Sequence, residues 1–202
     1  VMTCIGAYFT SRKDVMFCRT ITLLIIFTMY FSGGMIPFYM TVKGLGLENS
    51  LFSLIIPGAV NTFNLIVLRT AFASIPPALE ESARLDGAGH WRIMAQIVIP
   101  LSKASLSVVA LYYAVQHWNA WFNAMLFLKD RELFPLQLVL REILIQNDTS
   151  SMTQMVDAGN SSFIGETVKY AVIIVSVVPI LCVYPFIQKY FEKGVMIGAV
   201  KG

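Results

Sequence analysis

The chain has 202 residues, 56% of them hydrophobic and 13% charged, with a net charge of +3. Soluble domains carry about 25% charged residues, so this composition belongs to a protein whose surface meets lipid. The aromatic and apolar content excludes disorder, and a small net charge with no basic run excludes a nucleic-acid-binding surface. Three isolated cysteines, Cys4, Cys18 and Cys182, supply neither a disulfide framework nor a zinc site.

Taken from the start, Val1–Ser11 is uncharged but too short to cross a membrane, and it has neither the n-region nor the cleavage site of a signal peptide. It reads as the inner end of a helix that begins before the chain does. Four longer intervals without charge follow, over 20–42, 50–68, 104–128 and 170–188. About 20 apolar residues cover a ~30 Å hydrocarbon core, and each interval is about that long or longer. The expected fold is therefore all-α: a polytopic transmembrane helix bundle with four complete spans and the end of a fifth.

Lys and Arg fix the expected orientation. Arg12, Lys13, Arg19, Arg69, Arg84, Arg92, Lys103, Lys189, Lys193 and Lys201 fall on one side, and Lys43, Lys129, Arg131, Arg141 and Lys169 on the other. The richer side is cytoplasmic by the positive-inside rule, which puts the C-terminus inside.

The 20–42 span carries Gly33, Gly34 and Pro37 in its outer half. Proline removes a backbone donor and paired glycines weaken the turn, so a break is expected there, as a packing kink or as a gate beside a translocation path. In 50–68, Asn61 and Asn64 share a helix face, three residues apart. The cytoplasmic segment within 70–103 contains Ser74-Ile75-Pro76-Pro77-Ala78-Leu79-Glu80-Glu81-Ser82-Ala83-Arg84-Leu85-Asp86-Gly87. Proline suits a first helical turn, the two glutamates suit the positive end of the helix dipole, and Gly87 suits a left-handed stop. The reading is a short helix, a tight turn and a second start at His90-Trp91-Arg92-Ile93. By physics alone such a helix can lie on the membrane surface or press into a groove on a partner.

In 104–128, Gln116, His117, Asn119 and Asn123 cluster among Tyr112, Tyr113, Trp118 and Trp121. Polar groups inside spans are candidates to line a pore. The competing reading is that the tryptophans anchor the interface and the amides bond neighbouring helices. The outer connection over 129–168 opens with Pro135 and an amphipathic helix, and from Asn147 to Ser162 its Ser, Thr, Asn and Asp content reads as a loop. Asn147-Asp148-Thr149 and Asn160-Ser161-Ser162 match glycosylation sequons, a motif frequent by chance. The sequence carries no phosphate loop, no metal-ligand spacing and no catalytic constellation, so neither an enzymatic role nor a cofactor is expected.

Glu81-Ser82-Ala83, then Gly87, then Ile97-Val98-Ile99-Pro100 resembles the cytoplasmic signature of binding-protein-dependent ABC importer permeases. In that signature Glu-Ala-Ala is followed after three residues by Gly and nine residues later by Ile-x-Leu-Pro. Asp86-Gly87-Ala88, Pro100-Leu101 and the ending Lys193-Gly194 … Gly198-Ala199-Val200-Lys201-Gly202 are similar to its carbohydrate-uptake branch, and the likeness extends over 1–202. It implies an N-terminally truncated six-span permease in a bacterial cytoplasmic membrane, and a coupling helix formed by the 70–103 loop. On that likeness Glu81, Ser82, Ala83, Asp86 and Gly87 would meet a cytoplasmic ATPase subunit, and Pro100 would set the entry to the next span. The implied partners are a second homologous permease, two ATPase subunits and an extracellular or periplasmic sugar-binding protein facing the 129–168 connection. Aromatic rings beside amides in 104–128 suit a sugar path. Phe31-Ser32-Gly33-Gly34-Met35-Ile36-Pro37 and Phe134-Pro135-Leu136-Gln137 resemble the subgroup associated with complex or acidic plant and algal oligosaccharides. The alternative is an ATP-independent membrane channel or scaffold subunit.

Overall fold

The computed structural model describes residues 1–12, 14–31, 33–153 and 167–185, with backbone only for 147–153. Every regular element among them is helical. Lys13, Ser32, the second sequon, the last residues of the 170–188 span and the Lys193–Gly202 ending lie outside the described residues.

The helices are α1 Met2–Ser11, α2 Cys18–Tyr30, α3 Met35–Gly44, α4 Phe52–Ile55, α5 Thr62–Ala73, α6 Pro77–Leu85, α7 His90–Ile93, α8 Ile99–Leu101, α9 Lys103–Trp118, α10 Trp121–Phe127 and α11 Leu136–Thr153. A last helix, α12, runs Thr167–Pro185 with mean hydropathy 2.1. Among the described residues α12 alone is one unbroken helix long and apolar enough to cross a membrane, and the number rises to four if each bent pair counts as one span.

The expected spans are thus more broken than the hydropathy suggests. The 20–42 interval parts between Phe31 and Gly34, where Gly34 sits at φ +86°. The 50–68 interval is not one helix: α4 ends at Ile55, the backbone is irregular through Pro57 and Gly58, and α5 starts only at Thr62. The 104–128 interval stops at Trp118 and resumes at Trp121. Charge-free length measures what lipid tolerates, whereas continuity depends on each backbone donor finding a partner. The sequence expectation of a loop from Asn147 also needs correction, since α11 continues to Thr153.

The molecule contains two compact units. In the first (Val1–Phe38 and Ile55–Tyr113 among described residues), α1 packs along α5 over a core of Ala7, Tyr8, Leu68, Phe72, Ile93, Met94, Val98 and Val109. Close approach is possible because α1 presents Gly6, where an added Cβ would stand 3.1 Å from Leu65 Cδ1. Arg69 Nε donates to the Thr10 carbonyl at 2.9 Å, satisfying one of the free acceptors at the end of α1. In the second unit (Tyr39–Leu54 and, among described residues, 114–153 and 167–185), α10 and α11 enclose Ala124, Leu128 and Leu138. Asn49, at φ 56°, accepts from the Lys129 and Asp130 amides with one side-chain oxygen and donates to the Asp130 carboxylate. Large apolar side chains along α2, such as Leu23, Leu24 and Phe27, remain exposed, a surface suited to lipid or neighbouring protein.

Candidate functional site

Ser74-Ile75-Pro76 ends α5, since the residue before a proline is pushed out of helical geometry, and α6 restarts with Pro77 in its first turn. The two helices are bent by 72° at this joint. Glu80 lies near the start of α6 and Arg84 near its end, matching the helix dipole. A Schellman motif closes the helix: Ala88 N–H donates to Ala83 O at 2.9 Å and Gly87 N–H to Arg84 O at 3.0 Å, with Gly87 at φ +78°.

The two sides of α6 differ. Its only buried residue is a carboxylate, Glu80, 5% exposed and paired with the Arg12 guanidinium at the end of α1. Arg12 also lies 4.6 Å over the Tyr8 ring. Beside this pair Arg84 Nη2 meets Asp14 Oδ2 at 2.9 Å, and that hydrogen bond holds the Asp14 carboxyl below its ordinary range. A cavity of about 350 Å³ separates α6 from the end of α1, lined by Arg12, Asp14, Phe72, Pro77, Glu80 and Arg84 among others. On the other side Glu81, Ser82, Asp86 and Gly87 are exposed, and Leu85 and Trp91 stand out at 89% and 67% exposure. Ala83 is half-buried against the core with Ile75 and Ala88. Of the sequence-selected residues in this segment, four therefore face outward and Ala83 faces in.

Beyond the turn, α7 passes into a π-helical stretch at Met94–Val98, in which Ile99 N–H reaches back to Met94 O. Pro100 sits in the single turn of α8, directly before an 87° bend into α9. A proline without a donor fits that wide turn.

The polar residues of the spans form two separate groups. In the first unit Asn61 caps α5, its side-chain oxygen accepting from Asn64 N–H at 3.2 Å. Asn61 N–H donates to Tyr113 Oη at 2.8 Å, Tyr113 bonds Thr3 Oγ1 at 2.6 Å, and Thr3 donates to Ala59 O at 3.3 Å. This relay satisfies the backbone where the 50–68 interval is broken. Asn64 is buried, 2% exposed, as are Leu65 and Leu68 of the same helix. In the second unit Gln116, His117, Asn119 and Asn123 are all exposed. Asn119 Nδ2 donates to its own helix at Val115 O, 2.9 Å away. Trp118 Nε1 donates to Ser176 O at 3.2 Å, and Arg141 lies 4.3 Å over Trp121. Both tryptophans therefore serve contacts between helices.

Arg12 and Glu80 are the pair that the sequence did not single out. They lie 68 positions apart; Arg12 reads as a membrane-flanking cation and Glu80 as a dipole partner. The family signature begins at Glu81, but no local physical signal marks Glu80 as the carboxylate that is buried.

The family described as binding-protein-dependent transport system inner membrane component matches residues 15–197. This chain belongs to that family. Among similar members, the polygalacturonan/rhamnogalacturonan transport system permease protein YtcP of Bacillus subtilis is 46% identical over 97% of this chain and 68% of its own length. Protein LplC of the same organism is 43% identical over 97% of this chain and 66% of its length. A crystal structure of a bacterial ABC transporter involved in the import of the acidic polysaccharide alginate aligns with a TM-score of 0.81 and 36% identity, covering 95% of this chain and 70% of the matched one. The chain thus spans about two thirds of the length of these relatives. The chain is an inner-membrane component of a transport system.

Proposed function

We propose that this chain is a permease subunit of an ATP-driven importer for acidic oligosaccharides in a bacterial cytoplasmic membrane. A second permease, two cytoplasmic ATPase subunits and an external sugar-binding protein complete the system, and the C-terminus is cytoplasmic. One observation carries the reading. Helix α6 is fastened to the first unit by its inner side, while its outer side offers Glu81, Ser82, Leu85 and Asp86 to a partner. A carboxylate beside an exposed leucine suits a groove that pairs an apolar pocket with a basic residue, and the ATPase would present such a groove. ATP-driven closure of the ATPases would move α6, and the spans would alternate between inward- and outward-open arrangements. Asn61, Asn64, Gln116, His117, Asn119 and Asn123 would supply hydrogen-bonding partners for sugar hydroxyls. The break at Gly33, Gly34 and Pro37 would act as a gate. The names of YtcP and of the alginate importer support a uronate-rich substrate.

Co-purification of the tagged permease from its native host tests this. The wild-type chain should bring down a stoichiometric ATPase and support ATP-dependent uptake of labelled oligogalacturonate. The variant Glu81→Lys should insert normally but lose the ATPase and the uptake. Undiminished ATP-dependent uptake by Glu81→Lys, or uptake by a complex with no ATPase, would overturn the assignment.

A further inference from the structure

We infer that the Arg12–Glu80 pair, flanked by Asp14–Arg84, is a mechanical strap that makes α6 rigid with the α1–α5 pair, so that a force applied to α6 reaches the spans. The inference rests on the importer reading above and adds a positioning role for four residues.

Helix α6 is attached to the bundle in two ways. One is covalent, at both of its ends: through Ser74-Ile75-Pro76, where the 72° bend occurs, and through the turn over 86–89 into α7, whose Ile93 lies in the core. Ser74 N–H still donates to Thr70 O at 3.1 Å and Ile75 N–H to Phe72 O at 3.4 Å, but the ladder stops at Pro76, which has no donor, and there the backbone can absorb a push by rotating. The other is the contact with the end of α1. Apolar packing there is slight: Ala83 and Ile75 are only partly buried, and the cavity of about 350 Å³ lies under the helix. The one residue of α6 that is buried is Glu80, and it ends on Arg12, whose side chain is 11% exposed.

A buried ion pair adds little net stability over apolar packing, but it resists separation strongly, since pulling it apart strands charge in a low-dielectric site. Arg12 sharpens that resistance, because its Nε and Nη2 are buried without a hydrogen-bond partner. Losing Glu80 would leave this guanidinium without its paired carboxylate. The second rung fixes rotation, since Arg84 lies one helical turn beyond Glu80 and reaches Asp14 beyond the end of α1. Two rungs, one turn apart, stop α6 from pivoting about either one. Helix α1 in turn packs along α5 over the core and receives Arg69 at its last carbonyls. Force then passes from α6 to α1, and from α1 into α5.

Spin labels report this directly. They are placed on exposed positions of α1 (Phe9→Cys) and α6 (Ala78→Cys) in a background lacking the native cysteines, in the complete transporter in lipid. In the wild-type strap the distance between labels should be narrowly distributed and the same in nucleotide-free and ATP–vanadate-trapped states. In Glu80→Gln the distribution should widen and shift on trapping, with the ATPase still bound because the outer side of α6 is untouched. The reversed pair Arg12→Glu with Glu80→Arg should restore the narrow distribution. A distance that changes on trapping in the wild type would overturn the strap, as would a Glu80→Gln distribution as narrow as the wild type's. Loss of the ATPase in Glu80→Gln would also overturn it, by making Glu80 part of the docking surface. If Glu80→Gln does not accumulate, Asp14→Asn replaces it: a smaller widening is expected, and none overturns the proposal. The Glu81→Lys arm reports separately on the importer reading, since it leaves both rungs in place.

Discussion

Replacing Tyr113 by Phe removes a single oxygen at the point where the 50–68 interval is broken. That oxygen accepts from Asn61 N–H at 2.8 Å and bonds Thr3 at 2.6 Å. Because Thr3 donates to Ala59 O, the chain of donors runs from the Asn61 amide through Tyr113 and Thr3 to the Ala59 carbonyl. The variant Tyr113→Phe deletes two of its three links and leaves the Asn61 amide with no acceptor. A stranded donor costs about 1–3 kcal/mol and a second bond about 1 kcal/mol. Hydrogen bonds between membrane helices average only about 0.6 kcal/mol, so the expected loss is about 1–3 kcal/mol. Thermal unfolding of the purified protein in detergent measures it. A cycle with Thr3→Val, whose partner Ala59 O lies in the same break, should show clear coupling between the two sites. A loss below about 0.5 kcal/mol, the ordinary scatter of neutral surface changes, would refute the claim that this relay sustains the broken helix.

Three further outcomes follow from the geometry. Gly87 adopts φ +78° with open space around the position of a Cβ, so Gly87→Val should cost about 1–2 kcal/mol from backbone strain alone. The measurement is the amide exchange protection of α6, which should fall while that of α5 stays unchanged. At Gly6 a methyl would meet only the flexible end of Leu65, at 3.1 Å; Gly6→Ala should be tolerated, whereas Gly6→Leu should lower stability by about 1–3 kcal/mol through overpacking, read as a fall in unfolding temperature. The Asp14 carboxyl is held below its ordinary range by the Arg84 hydrogen bond, against a smaller opposing effect of burial. Its contribution is therefore complete above the unfolded aspartate value and is lost as pH falls through the lower folded one. The difference in α6 exchange protection between the native chain and Asp14→Asn should be present at neutral pH and vanish in acid; a difference that grows in acid would contradict the sign.

Much of this protein is written in local terms. Charge-free intervals, which reflect what a bilayer excludes, show a helical membrane protein. Pro77, the glutamates behind it and Gly87 place α6 and its end to the residue, because caps, dipole preference and left-handed backbone are properties of a few adjacent residues. The breaks were only half legible: Gly33, Gly34 and Pro37 marked one, but nothing local showed that Asn61 would cap α5 and that its amide would bond Tyr113 across the other. Tertiary structure decided which of two adjacent glutamates is buried. Glu80 and Glu81 are chemically identical neighbours, and helical geometry points them about 100° apart. Only the arrival of Arg12 from 68 positions away makes one an anchor and leaves the other free for a partner. Solvent exclusion at that contact is a property of two helices packed together, and no stretch of sequence carries it alone.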